Sequence, residues 1–267
     1  MQLGMPTLIE LKSIEACAEL CRELGLGFIE LNMNLPEYQA NRLDVSVLRR
    51  VAEKFGIDFT IHLDENLNPC DFNNRVADAY TETVMQTIEI AKQLRIPILN
   101  MHLSKGVYFT LPEKKVFLFS EYEDVYFEKI ADFRNRCETA IGGADMTICI
   151  ENADGCFDMP FIVKGLDALM ASPAFAMTFD IGHNAFAGGA DEPVILSRAN
   201  KLRHMHIHDA IGRRPHLPLG TGDLDLPKYF ALANKHHCRV VLETKTIAGL
   251  KDSVEWMQQS LSTSTMH

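Results

Sequence analysis

Paired cysteines, long apolar runs and a surplus of basic residues are all missing from this sequence, and each absence narrows what the chain can be. Its seven cysteines, Cys17, Cys21, Cys70, Cys137, Cys149, Cys156 and Cys238, include no CxxC pair. That pattern reads as reduced, buried small side chains, not as a disulfide framework or a thiolate metal site. No apolar run approaches the ~18 residues of a membrane span. The opening stretch MQLGMPTLIELKS lacks the basic-then-apolar layout of a signal peptide, so the expectation is a cytoplasmic chain without membrane association. With 26 basic against 36 acidic residues the formal charge is -10, which disfavours a broad non-specific grip on nucleic acid and leaves only a local basic groove open. No internal repeat, low-complexity segment or linker interrupts the chain, and the tail Ser260–His267 reads as a frayed end. The 267 residues, 47% of them hydrophobic, are therefore read as one domain. Homo-oligomer formation is left open.

What the chain does have is a regular alternation of short apolar runs with longer amphipathic stretches. Eight candidate strands stand out: Gln2–Pro6, Gly27–Met33, Asp58–Asp64, Ile96–Leu103, Met146–Asn152, Ala174–Asp180, His204–Asp209 and Arg239–Thr244. Between and after them run helical patterns over Ser13–Leu24, Ser46–Phe55, Asp71–Leu94, Glu123–Ile141, Asp158–Ala171, Asp191–Lys201, Pro227–His236 and Lys251–Leu261. Strict alternation with buried-type strands predicts a parallel sheet, and eight such units close a (β/α)8 TIM barrel of the α/β class. A doubly wound open sheet is the alternative.

In a barrel, functional residues come from the C-terminal ends of the strands. Those ends are polar almost throughout: Glu30, His62, His102, Glu151, Asp180 with His183, and Glu243. The seventh strand, HMHIHDA, alternates His204, His206 and His208 before Asp209, which puts the three imidazoles on one side. Spacing alone does not say which of them meets a metal. Charged groups directly after apolar strands need a partner or a metal, because unpaired burial is costly. Mixed carboxylate and imidazole ligands suit Mn, Zn, Co or Fe, where an all-oxygen set would suit Mg or Ca.

Through the segments IHLDEN, NMHLSKG, CIENADG, FDIGHNAFAGG, HIHDA, HLPLGTGDLD and VLETK the chain resembles the xylose isomerase-like TIM-barrel superfamily over nearly its whole length. That superfamily holds sugar isomerases and epimerases and the endonuclease IV type of AP endonuclease. The epimerase resemblance implies one divalent metal held by Glu151, Asp180, His206 and Glu243, with the two glutamates as acid and base. It also implies that His183 contacts substrate oxygen and that Arg213 approximates the substrate arginine. The endonuclease resemblance implies additional metal at His62, His102, His183 and His216, but Arg214 replaces the aspartate expected two residues before His216. A cation there removes a ligand and adds repulsion. ELNMNLPEYQ is also unlike the DNA-inserting loop of that family.

Several weaker features complete the reading. Ser104–Ser120 is the longest irregular stretch and is taken as a lid or substrate-contacting loop, with a plain packing excursion as the alternative. The glycines of HLPLGTGDLD are read as a structural turn ahead of a phosphate cradle, with Asp223 or Asp225 capping the next helix. Lys245 and Glu30 are candidate substrate contacts, Glu30 alternatively supporting the metal ligands. The expected function is a metal-dependent isomerase or epimerase of a small sugar, ketose or sugar phosphate through an enediolate. A zinc-dependent AP endonuclease and a non-catalytic ligand-binding barrel are the competing readings.

Overall fold

The computed structural model describes residues 1–153 and 155–263, so the end of the tail Ser260–His267, from residue 264 onward, lies outside the described residues. Eight parallel strands form a closed barrel in chain order: β1 (Gln2–Pro6), β2 (Phe28–Asn32), β3 (Asp58–His62), β4 (Ile98–His102), β5 (Thr147–Glu151), β6 (Phe175–Asp180), β7 (Leu202–Ile207) and β8 (Arg239–Leu242). The last strand returns to the first through Gln2↔Arg239 and Leu3↔Val240, which excludes the open doubly wound sheet. Because helices cover the outer face and side chains fill the inside, the strands are buried on both faces; all six residues of β6 are buried.

The helices begin where the sequence supplies caps. Ser13 accepts from the Ala16 amide at the head of Ile14–Glu23, and Asp44 accepts from the Ser46 and Val47 amides at the head of Val45–Phe55. Asp225 accepts from the Lys228 amide ahead of Leu226–Lys235, settling which of the two candidate aspartates caps that helix. None of the seven cysteines forms a disulfide, and all are buried. Among the described residues no helix is long and apolar enough to cross a membrane.

Three expectations need correction. The predicted strand His204–Asp209 instead starts at Leu202 and leaves the barrel after Ile207; Asp209–Ile211 turns away to pair antiparallel with Arg214–Leu217. The turn at Gly212, φ 55°, makes that short hairpin, which periodicity in HMHIHDA cannot reveal. Ser104–Ser120 is not irregular throughout: Tyr108–Thr110 pairs with Lys115–Phe117, followed by a helical turn over Leu118–Glu121. The helix expected over Asp191–Lys201 shrinks to Glu192–Leu196 plus a 3-10 turn at Ala199–Lys201.

Candidate metal centre

Strand register brings the polar ends to one level. His102 lies opposite Glu151, Asp180 opposite His206, and His62 opposite Asn100 in the paired strands. Glu243 follows β8, its amide donating to the Ile207 carbonyl across the sheet at 3.1 Å. The result is convergence on one atom. Around His206 Nδ1 stand Glu151 Oε1 at 3.1 Å, Glu243 Oε2 at 3.4 Å and Asp180 Oδ2 at 3.7 Å. The other Glu151 oxygen faces β3 and β4, with His102 Nε2 at 3.1 Å and His62 Nε2 at 3.4 Å. His183 reaches in from the turn after β6, its Nδ1 3.5 Å from Glu151 Oε1 and 3.0 Å from the Asn152 carbonyl.

Three carboxylates this deeply buried require positive charge nearby. Burial works to raise the Glu151 carboxyl, but the imidazoles of His206 and His102 outweigh it and hold it well below the usual carboxylate range. Burial likewise opposes Glu243, which Lys245 and His206 pull down, and Asp180, which His183 and His208 pull down. The reciprocal effect falls on the imidazoles. Burial favours neutral His62 and His183, yet Glu151 beside the first, and Asp180 and Glu151 beside the second, push both up to about 9. His216, where burial dominates, is pushed down to about 4.

The donor set fits a divalent cation. Three carboxylates and an imidazole present oxygen and nitrogen ligands of the kind that Mn, Zn, Co and Fe accept. Glu243 Oε2 is buried and receives no hydrogen bond, although it is aimed into the cluster. His206 turns its other nitrogen away, Nε2 lying 2.9 Å from Glu30 Oε1, close but poorly aligned for a hydrogen bond. Metal-binding histidines commonly set their second nitrogen against a carboxylate in this way.

Glu30 therefore sits beneath the centre and not in the cavity. It is 2% exposed, and its Oε2 accepts from Thr60 Oγ1 at 3.0 Å and contacts His204 Nε2 at 2.8 Å. It does not line the cavity, and its contacts are with Thr60, His204 and His206. His204 packs in the same buried layer.

Two asparagines that the strand-end pattern did not single out hold Glu151 and Asp180, the first at its carboxylate and the second at its backbone. Asn100 donates to Glu151 Oε2 and accepts from Thr178 Oγ1. Asn152 brackets the Asp180 peptide, donating to its carbonyl at 2.9 Å and accepting from its amide at 2.8 Å. A signal for Asn100 existed: it stands two residues before His102 in an otherwise apolar strand and so shares its side.

Above the cluster opens a cavity of about 430 Å³, lined by His62, His102, Glu151, His183, His216, Glu243 and Lys245 together with Glu65, Asn66 and Ala153. Lys245 Nζ is 2.8 Å from Glu243 Oε1. Arg213 does not line this cavity; its guanidinium stacks 4.1 Å over the Phe186 ring. Arg214, exposed on the hairpin, does not line it either. The glycines of HLPLGTGDLD do not cradle phosphate. Amides of Gly220, Gly222 and Leu224 already bind the buried Asp209 carboxylate at 3.0, 2.9 and 3.2 Å, which favours the structural turn.

The chain belongs to the xylose isomerase-like TIM barrel family, whose model matches residues 18–260. An uncharacterized protein of Methanocaldococcus jannaschii is 27% identical over 241 residues, 86% of this chain and 82% of its own length. Among solved structures, a D-tagatose 3-epimerase-like protein superposes with a TM-score of 0.78 at 21% identity, covering 98% of this chain and 97% of its own. An L-ribulose 3-epimerase superposes with a TM-score of 0.76 at 17% identity, covering 98% and 95%. Likeness at these identities demonstrates the shared fold.

Proposed function

We propose that this protein is a divalent-metal-dependent isomerase or epimerase of a small sugar. The observation that carries the reading is the convergence of Glu151, Asp180 and Glu243 oxygens within 3.7 Å of His206 Nδ1 at the floor of an open cavity. When bound there, a divalent cation polarises a carbonyl and steadies the negative charge that develops on its oxygen. Glu151 and Glu243 approach from separate sectors of the barrel wall. One removes the proton from the carbon beside the carbonyl, giving an enediolate, and the other returns a proton to it. His183 and Lys245, both on the cavity wall, hold substrate hydroxyls.

The lining favours an uncharged sugar over a sugar phosphate. It contains no arginine among the described residues, its lysine is paired with Glu243, and Glu65 adds a further carboxylate. A phosphate dianion would find there no guanidinium fork of the kind that suits it.

A second reading, the zinc-dependent phosphodiesterase, is favoured by one specific feature: Glu151 turns a separate oxygen to His62 and His102. Arg214, standing where that family has an aspartate, argues against it. Deuterium incorporation from heavy water into free ketoses tests the proposal. Exchange beside the carbonyl, lost in Glu151→Gln and Glu243→Gln, supports it. A metal-loaded protein that exchanges nothing across a ketose panel but incises abasic duplex would establish the phosphodiesterase instead.

A further inference from the structure

His208 lies two residues beyond His206, fully buried, at the root of the hairpin formed by Asp209–Ile211 and Arg214–Leu217. Its two ring nitrogens have different obligations. Nδ1 is 2.8 Å from the backbone N–H of His216, a group that can only donate, so Nδ1 must accept. The Asp209 carbonyl is also 3.3 Å from Nδ1, but two acceptors cannot bond each other, and the shorter contact from an obligate donor decides the tautomer. The proton therefore resides on Nε2, which points 3.2 Å to Asp180 Oδ2. The remaining Asp180 oxygen is held by the His183 amide at 2.6 Å. Asp180 is thus oriented at both oxygens while Oδ2 still faces His206 Nδ1.

The ring is closely packed in this position. A Cβ placed on Gly182 would lie 1.8 Å from His208 Cε1, so only glycine there leaves room for the imidazole. On the hairpin side, His216 adopts a left-handed backbone, φ 60°, that is uncommon for a residue with a side chain. That conformation accompanies the amide's contact with His208 Nδ1, while the His216 ring joins the cavity wall.

From this chain of contacts we infer that His208 is a positioning residue: an imidazole strut, seated on the His216 amide, that aims the Asp180 carboxylate at the cation site. It orients a ligand and is not itself one. The inference rests on the assignment of Asp180 to the metal centre made above.

The test is metal titration of the metal-free full chain with Zn or Mn against a competing chelator, with metal content by elemental analysis and fold by circular dichroism. His208→Leu removes the donor and should weaken binding about 10–100-fold, the usual cost of losing a partner to a ligand. His208→Gln, which keeps an N–H donor at the reach of Nε2, should restore most of that loss. Gly182→Ala displaces the ring without removing it and should resemble the leucine variant, which keeps the inference testable if His208→Leu does not fold. Wild-type affinity in a folded His208→Leu or Gly182→Ala would overturn the inference. So would loss of one whole metal equivalent with the remaining affinity unchanged, since His208 would then be a ligand. Asp180→Ala separates the two levels of argument. If that variant keeps its metal, the metal-centre assignment fails; if it loses metal while His208→Leu does not, only the strut fails.

Discussion

On one side of Glu151 the strands β6 and β7 and the residues after β8 supply Asp180, His206 and Glu243. On the other, β3 and β4 supply the imidazoles of His62 and His102, whose Nε2 atoms share a single Glu151 oxygen at 3.4 and 3.1 Å. The first side brings two carboxylates of its own; the second has none and depends on the anion it borrows. Attraction for a divalent cation scales with the negative charge close to it, so the carboxylate side should bind first and most tightly. Glu151 belongs to both sides, which makes the pair unequal but coupled.

Under the proposed function Glu151→Gln should therefore have the largest effect, because it would neutralise a ligand shared by both sides and remove an acid/base group. Turnover should fall about 10²–10⁴-fold, the usual contribution of general acid–base catalysis, and metal content should drop on both sides. Unchanged metal content and turnover in that variant would dissolve the comparison. His206→Ala against His102→Ala separates the sides. The first should lose the tightest metal, by more than the about 10–100-fold that outer partners cost, while the second should keep it. Elemental analysis after dialysis reads the outcome, and a His102→Ala protein stripped of all metal would invert the order of the two sides.

Proton linkage sharpens the same contrast. In the metal-free protein, carboxylates push His62 and His183 up to about 9, so both carry protons at neutral pH. A cation must displace such protons, so its binding near pH 7 should release protons, seen as a dependence of calorimetric heat on buffer ionisation enthalpy. The stability that these raised pKa values contribute is fully present below the unfolded value near 6.5 and is lost as pH rises through about 9. Metal-free protein should therefore melt at a lower temperature at pH 9 than at pH 6.5, and metal-loaded protein should be less affected. An unfolding temperature of the metal-free form that rises over this window would show that the imidazoles are not held charged. His216, pushed down to about 4, stays neutral throughout.

The barrel and the level of its site were legible because both follow from short-range rules. Period-2 alternation tells which side chain faces inward, and polar residues at the ends of apolar strands mark the active face. Those rules located Glu151, Asp180 and Glu243, and the family resemblance selected His206 from three imidazoles that alternation could not distinguish. What escaped depends on contacts between distant segments. Glu30 lies within β2 and looked like the polar residues of the cluster, yet it stands one layer below them, its oxygens set against Thr60, His204 and His206. Arg213 is adjacent to a turn whose geometry sends it to Phe186. Asp209 looked like one more strand-end carboxylate, but four amides, those of Ala210, Gly220, Gly222 and Leu224, consume it in holding a loop. Periodicity carries no information about which amides a later turn will present.

The smallest expected effect concerns the one cation that the carboxylate side already holds. Lys245 Nζ sits 2.8 Å from Glu243 Oε1, and its side chain is 51% exposed, so the pair contributes little to stability. Its consequence is electrostatic competition: an ammonium beside a ligand repels an incoming divalent ion. In water-like surroundings an ammonium and a divalent ion repel by about 1 kcal/mol at about 8 Å and about 2 kcal/mol at about 4 Å, so Lys245→Met should tighten the carboxylate side by roughly five-fold, and by no more than about thirty-fold. The gain should shrink as salt is added, because the lysine is partly solvated. The histidine side, farther from that ammonium, should change less. Weaker binding in Lys245→Met would mean that the lysine holds Glu243 in its binding orientation, and the competition between the two cations would have to be abandoned.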